Sequence, residues 1–342
     1  MSQLERGAYT GLHRHKALLV GLLVSLLVLL ACLVKSISFG AADIGFNQIL
    51  SSFTVFDGSR EHLIIQTVRL PRSIIAMLVG AAMGTAGAIM QGVTRNPLAD
   101  PGILGVNAGA AFAVVMGIFA FGAASPSVYV WYAFLGAGVT VVSVYLLASL
   151  GRSGVTPLNL TIAGAATSSL LASLTTGVLI VSQRTLEEIR FWLAGSLAGI
   201  DENIIYQVLP YICVGMVLAF GLSRQITVIS LGEDIAKGLG QQTLWIKILA
   251  AVSVLLLEGS AVSVAGAIGF IGLIVPHIVR FIVGVDYRWI LPYSAILGAI
   301  LLLGSDTLAR LVLRPQEIPV GVMTALVGAP FFVYLARTKI KK

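Results

Sequence analysis

The chain has 342 residues, 57% hydrophobic and only 11% charged, against roughly 25% charged in a soluble domain. With a mean hydropathy of +0.97, that much apolar surface excludes a water-soluble fold. The apolar runs have helical length, unlike the alternating segments of about ten residues that build a barrel, so the composition predicts an all-α polytopic membrane protein. The net charge of +7 is spread over termini and loops, which fits membrane topology and not nucleic-acid binding.

In chain order, a basic start (Arg6, His13, Arg14, His15, Lys16) precedes an apolar run at 17–34. The run is long for a signal peptide and no small-x-small cleavage site precedes Lys35, so it reads as a retained first span after a cytoplasmic tail, 1–16. A second span opens at Arg69-Leu70-Pro71-Arg72, where Pro71 suits a first helical turn, and runs to about 93. Further apolar runs at 103–122, 128–150, 158–181, 204–222, 248–267, 270–283, 291–313 and 319–336 bring the total to ten, the eighth short, in one domain spanning 1–342. Gly80/Gly84 and Gly105/Gly109 have the small-xxx-small spacing that lets helix backbones approach. After Gln91, the prolines and polar residues of 96–101 predict a tight cytoplasmic turn that stops one helix and starts another. The tetrapeptide Ala-Gly-Ala-Ile at 86–89 recurs at 265–268, and Pro97 and Pro276 follow at the same offset. Such an echo fits inverted repeats, although four small or apolar residues also recur by chance.

Basic residues set the orientation. With ten spans and a cytoplasmic N-terminus, 14 of the 22 Lys and Arg fall on the inner side and 8, including Arg69, Arg72 and Arg310, on the outer side. That bias places both termini in the cytoplasm. It leaves arginines at the outer helix ends, which snorkelling to the interface would also explain.

The longest polar island between spans is 223–247. Ser230 and Glu233 have the spacing of a capping box, and Gly238 and Gly240 offer left-handed exits from a helix. A short capped helix there suits docking to a soluble partner; a solvated loop with a helical turn is the plainer reading.

No catalytic constellation is present. Cys32 and Cys213 lie in apolar runs and support neither a disulfide framework nor a metal site. The chain has no G-x-x-x-x-G-K-[ST] phosphate loop for ATP and no His/Cys cluster for iron, haem or zinc. Glu258 lies in the seventh span, and Asp306 stands four residues before Arg310, close enough to pair on one helix face. Intramembrane ionisable groups are functional candidates, but one acid and one pair are few for the ion coupling a secondary transporter needs.

The order Arg69–Arg72 (RLPR), Gln91 with NPLADPGILG (96–105), LGEDIAKGLG (231–240), GAIGFIGLIVPHIVR (266–280) and EIPVGVMTALVGAPFF (317–332) resembles the FecCD family. These are permeases of ATP-binding-cassette importers for ferric siderophores, haem and vitamin B12. The resemblance covers nearly everything after about residue 60. It implies an importer permease fold of ten helices, the second to fifth and seventh to tenth related as inverted repeats. It implies a pair of permease chains, identical or homologous, in the cytoplasmic membrane around a path lined largely by the fifth and tenth helices. ATP with Mg is used by a separate ATPase, so this chain is no enzyme and binds no cofactor itself. Gly232, Glu233, Asp234, Ala236, Leu239 and Gly240 match the coupling segment that enters the ATPase. Arg69, Arg72 and Arg310 match outer arginines that receive acidic residues of an extracytoplasmic substrate-binding protein. Gln91, Asn96, Pro97, Pro101, Gly105, Pro276, Pro319, Gly321, Gly328 and Pro330 lie in the remaining motifs, with a structural or gating role. Ferric siderophore is the expected substrate, with haem and vitamin B12 as alternatives.

Overall fold

The structure is a computed structural model that describes residues 3–40, 44–123, 125–150, 156–200 and 202–339. Of the basic residues used for orientation, Arg152, Lys341 and Lys342 lie outside the described residues. The helices are α1 (Gln3–Ser38), α2 (Phe46–Thr54), α3 (Arg60–Ile64), α4 (Leu70–Val93), α5 (Val106–Phe121), α6 (Pro126–Ser149), α7 (Pro157–Val181), α8 (Gln183–Leu193), α9 (Glu202–Gly221), α10 (Ser223–Leu231), α11 (Glu233–Gly238), α12 (Thr243–Ala265), α13 (Ile271–Val283), α14 (Tyr287–Leu311) and α15 (Val320–Lys339). Every expected span has its helix: α1, α4, α5, α6, α7, α9 and α12 to α15. Among the described residues, seven helical runs are long and apolar enough to cross a membrane, and α5, α13 and Val320–Val333 are shorter apolar helices.

The second span starts earlier than its sequence suggests. From Arg60 to Val93 the chain is one continuous helical run, with a π-helical stretch, Ile65–Arg69, joining α3 to α4. Pro71 explains the irregularity. It has no N–H to donate and crowds the preceding turn, so the ladder locally widens; Leu70 N–H bonds to Ile65 O, five residues back. The short helices α2, α3 and α8 are additions to the expected list. Each is too short to stand out as an apolar run.

α4 is the axis of the core, buried along most of its length and packed on α12, α13 and α14. Close approach is what its small residues provide. A Cβ on Gly80 would run into the backbone of Gly298, one on Gly84 into Ser294 and one on Gly87 into Gly272. Gly109 meets Gly136 and Thr140 in the same way where α5 crosses α6. Both small-xxx-small motifs are therefore packing contacts.

The packing pattern repeats. α4 packs on α14 as α12 packs on α6, and α5 contacts α6 and α7 as α13 contacts α14 and α15. The sets α4–α7 and α12–α15 thus form two units with equivalent partnerships, five spans apart. The Ala-Gly-Ala-Ile echo does not mark this relation. Residues 86–89 lie inside α4, whereas 265–268 end α12 and enter the next turn, and Pro97 sits in a turn while Pro276 is inside α13. The echo is chance.

Candidate functional site

The segment 223–247 forms a two-helix knob. α10 ends at Gly232, whose φ of +146° is open only to glycine, and α11 begins at Glu233. Gly240, at φ +79°, turns the chain into α12, while Gly238 stays helical. The capping box does not form: Ser230 Oγ donates to the Thr227 carbonyl at 2.7 Å. The Glu233 carboxylate goes elsewhere because ammonium groups bind it better than a backbone amide. Lys247 Nζ donates to Oε2 at 2.7 Å, and Lys237 Nζ lies 3.3 Å from Oε1. The Lys247 hydrogen bond is the main reason Glu233 titrates below the usual carboxylate range. Ala236 is buried under the knob, and Gln241 N–H bonds to its carbonyl at 3.0 Å. On the outside, Leu231, Ile235 and Leu239 recur every four residues and are 59%, 50% and 68% exposed. A charge-clamped knob thus exposes three large apolar side chains.

Arg69, Arg72 and Arg310 come together at the opposite end of α4, but not as free surface groups. All three are buried. Arg69 Nη1 donates to the carbonyls of Ile37 (2.7 Å) and Ser38 (2.8 Å), capping the end of α1. Arg310 Nη1 caps the same helix through the carbonyls of Ser36 (3.1 Å) and Phe39 (3.0 Å). Its Nη2 lies 3.1 Å from Asp306 Oδ2, the pairing expected four residues apart. Arg72 holds the other side of Asp306, with Nη2 2.8 Å from Oδ1, and its Nη1 donates to Glu317 Oε2 at 2.7 Å. Asp306 is fully buried between two arginines, and Glu317 is the exposed end of the chain of charges.

Of the remaining motif residues, Gln91, Pro101 and Gly328 meet one turn, Phe270 to Leu273, and the others shape turns and helices elsewhere. Gln91 Nε2 donates to the carbonyls of Gly272 (3.2 Å) and Leu273 (3.1 Å), tying α4 to the start of α13. Asn96 Oδ1 accepts from Leu98 N–H (3.0 Å), shaping the turn around Pro97, and Asp100 Oδ1 accepts from Gly102 N–H (2.8 Å) over a 3-10 turn that starts at Pro101. Gly105, at φ +76°, passes that turn into α5. A Cβ on Gly272 would stand 3.1 Å from Asp100 Oδ2 and 3.3 Å from Pro101 Cδ; one on Gly328 would strike the Phe270 side chain. Pro276 lies inside α13 and Pro330 inside α15. Pro319 precedes α15, and Gly321 N–H bonds to Gly195 O at 3.0 Å.

A model of the FecCD transport family matches residues 22–338. The chain belongs to the FecCD transport family. It is 49% identical over 314 residues to the "Probable siderophore transport system permease protein YfiZ" of Bacillus subtilis strain 168, covering 92% of this chain and 94% of that one. It is 47% identical over 303 residues to the iron(3+)-hydroxamate import system permease protein FhuB of the same organism, covering 88% and 79%. A solved ABC transporter assigned to the metal-chelate type, in an inward-facing conformation, superposes with a TM-score of 0.83 at 31% identity, covering 93% of this chain and 98% of that one.

In this FecCD chain, α7 buries only Gly164 and Thr175. Thr161, Ala165, Ser169, Ser173 and Gly177 form an exposed row of small and hydroxyl residues along it. Glu258 on α12 is buried and its Oε2 has no hydrogen-bond partner. Two relations escaped the sequence reading. Arg72 shares Asp306 with Arg310 across 234 residues, and Lys247 reaches back 14 residues to Glu233. Distance along the chain hid the first; the second was within reach, since Lys247 lay in the same polar island.

Proposed function

We propose that this chain is the membrane-spanning permease subunit of an ATP-binding-cassette importer for ferric siderophores. It sits in the cytoplasmic membrane with both termini inside and works beside a second permease chain, identical or homologous. The observation that carries the reading is the charge-clamped knob with its exposed apolar side chains, Leu231, Ile235 and Leu239. A rigid knob with an exposed apolar face suits insertion into a cleft of a soluble ATPase, which would bind ATP and Mg and hydrolyse it. The siderophore class comes from the named relatives, which are siderophore and hydroxamate permeases.

Docking of a substrate-binding protein at the opposite end becomes an exchange. Arg72 is held by Glu317, whose side chain is exposed, and an acidic residue of the binding protein could take Glu317's place. Arg69 and Arg310 keep α1 in position behind that face. Transport then follows from differential affinity: ATP and the loaded binding protein must favour different states of the permease pair. The exposed small-residue row on α7 suits a path that must pass a bulky, chemically varied chelate without gripping it, leaving selectivity to the binding protein.

Native mass spectrometry of the complex isolated from its host membrane tests the assembly, and uptake of iron-labelled siderophore tests the substrate. Two permease chains with two separate ATPase subunits, and uptake that needs both ATP and the binding protein, are expected. A lone chain that supports ion-driven uptake sinks the reading.

A further inference from the structure

An apolar groove of about 360 Å³ runs between α6 and α12, lined by Val142, Tyr145, Leu146, Ala251, Val252 and Leu255 among others. Val142, Leu146 and Val252 are well exposed, and both helices are long and apolar enough to span a membrane. The groove therefore faces lipid. Tyr145 also lines two small crevices beside it, which contain Thr94, Lys247 and, in one, Arg95 and Glu233. Tyr145 thus stands between the apolar groove and a basic mouth at the knob. Lys247 and Lys237 share the one carboxylate of Glu233, while exposed Arg95 has no carboxylate partner among the described residues. The mouth has more positive than negative charge, with a tyrosine at the join, an arrangement suited to the boundary between acyl chains and headgroups.

We propose that this groove is a binding site for an anionic phospholipid, with one acyl chain between α6 and α12 and the phosphate between Arg95 and Lys247. The groove accounts for the chain, and the surplus of cations for the charge. A phosphate there competes with Glu233 for Lys247, so the same lipid loosens the clamp on α11. That consequence rests on the coupling reading above; binding itself does not.

Native mass spectrometry of the full chain reads the site directly, after exchange into detergent containing phosphatidylglycerol or phosphatidylcholine with identical acyl chains. Wild type is expected to retain phosphatidylglycerol over phosphatidylcholine by about fivefold for each basic group engaged. Arg95→Gln is expected to lose most of that preference while still retaining lipid, and Ala251→Trp, which fills the groove, to lose both lipids. Equal retention of the two lipids by wild type overturns the proposal, as does an unchanged preference in Arg95→Gln. A third contrary result is a second copy of the chain covering the groove, seen as Ala251→Trp splitting a dimer without altering lipid retention. If Ala251→Trp does not fold, the Arg95→Gln comparison decides alone. No ATPase or substrate enters the measurement, so its failure is distinct from failure of the transport reading.

Discussion

Lys247 near the start of α12 and Glu233 at the start of α11 are joined by a 2.7 Å contact, so the knob is tied to a core helix by a side-chain link as well as by the turn between them. Because the carboxylate is partly exposed, the pair is worth about 1 kcal/mol after screening. Lys247→Ala is expected to lower uptake per ATP hydrolysed by about fivefold while leaving hydrolysis running. Equal coupling ratios in wild type and variant would remove the clamp from the mechanism.

The same pair sets an acid limit. Glu233 titrates below the usual carboxylate range when the chain is folded, so its contribution is fully present above the unfolded value, about 4.3. It is lost as pH falls through the lower folded value. Coupling is expected to be flat from pH 8 to about 5 in this respect, and Glu233→Gln to abolish any acid-dependent step. An acid transition that survives in Glu233→Gln belongs to another group.

Asp306 lies between Arg72 and Arg310 with no exposure. Asp306→Ala leaves two buried guanidinium groups facing one another and is expected to cost about 3–5 kcal/mol, read as a lowered unfolding midpoint in detergent. Glu317 is the surface member of the same chain of charges. Glu317→Gln is expected to leave the midpoint nearly unchanged and to tighten the binding protein severalfold by freeing Arg72. Weaker or unchanged affinity counts against exchange at Arg72.

Gly87 crosses Gly272 with no room for a side chain. Gly87→Ala is expected to push α4 from α13, at a cost of about 1–3 kcal/mol, and to disturb the Gln91 hydrogen bonds nearby. A variant as stable as wild type would show that this crossing tolerates separation.

Glu258 offers a test between transport classes. Its buried Oε2 has no hydrogen-bond partner, so an uncharged isostere gives up no bond there. Glu258→Gln is expected to match or exceed wild-type stability by about 1 kcal/mol, with uptake retained. Loss of uptake with full stability would mark Glu258 as an ion-coupling group.

The span pattern was legible because each membrane crossing must be an apolar run of helical length, and α5 and α13 were visible even though short. The knob was legible from its polarity, yet its cap was misread. Ser-x-x-Glu spacing says nothing about Lys237 and Lys247, which outcompete the backbone for Glu233. Arg69, Arg72 and Arg310 show the same limit. Sequence placed Arg310 four residues from Asp306, but the partners that bury it, Ser36 and Phe39, lie at and just past the end of α1, at the far end of the chain. The small helices α2 and α8 were invisible because amphipathic stretches of 9 and 11 residues lie below the length at which apolar runs stand out.

The attachment of α1 bears on how the protein is built. Its apolar span buries almost nothing, and α14 supplies holds near each end: Tyr293 donates its hydroxyl to Leu18 O at 2.7 Å, and Arg310 caps Ser36 from 274 residues downstream. The seat of α1 is therefore split between the second span, through Arg69 and Ser73, and the ninth, through Tyr293 and Arg310. An otherwise lipid-facing rod is thus pinned by its two ends to elements far apart in the sequence, so a truncation after the eighth span would leave it tethered only through Arg69 and Ser73.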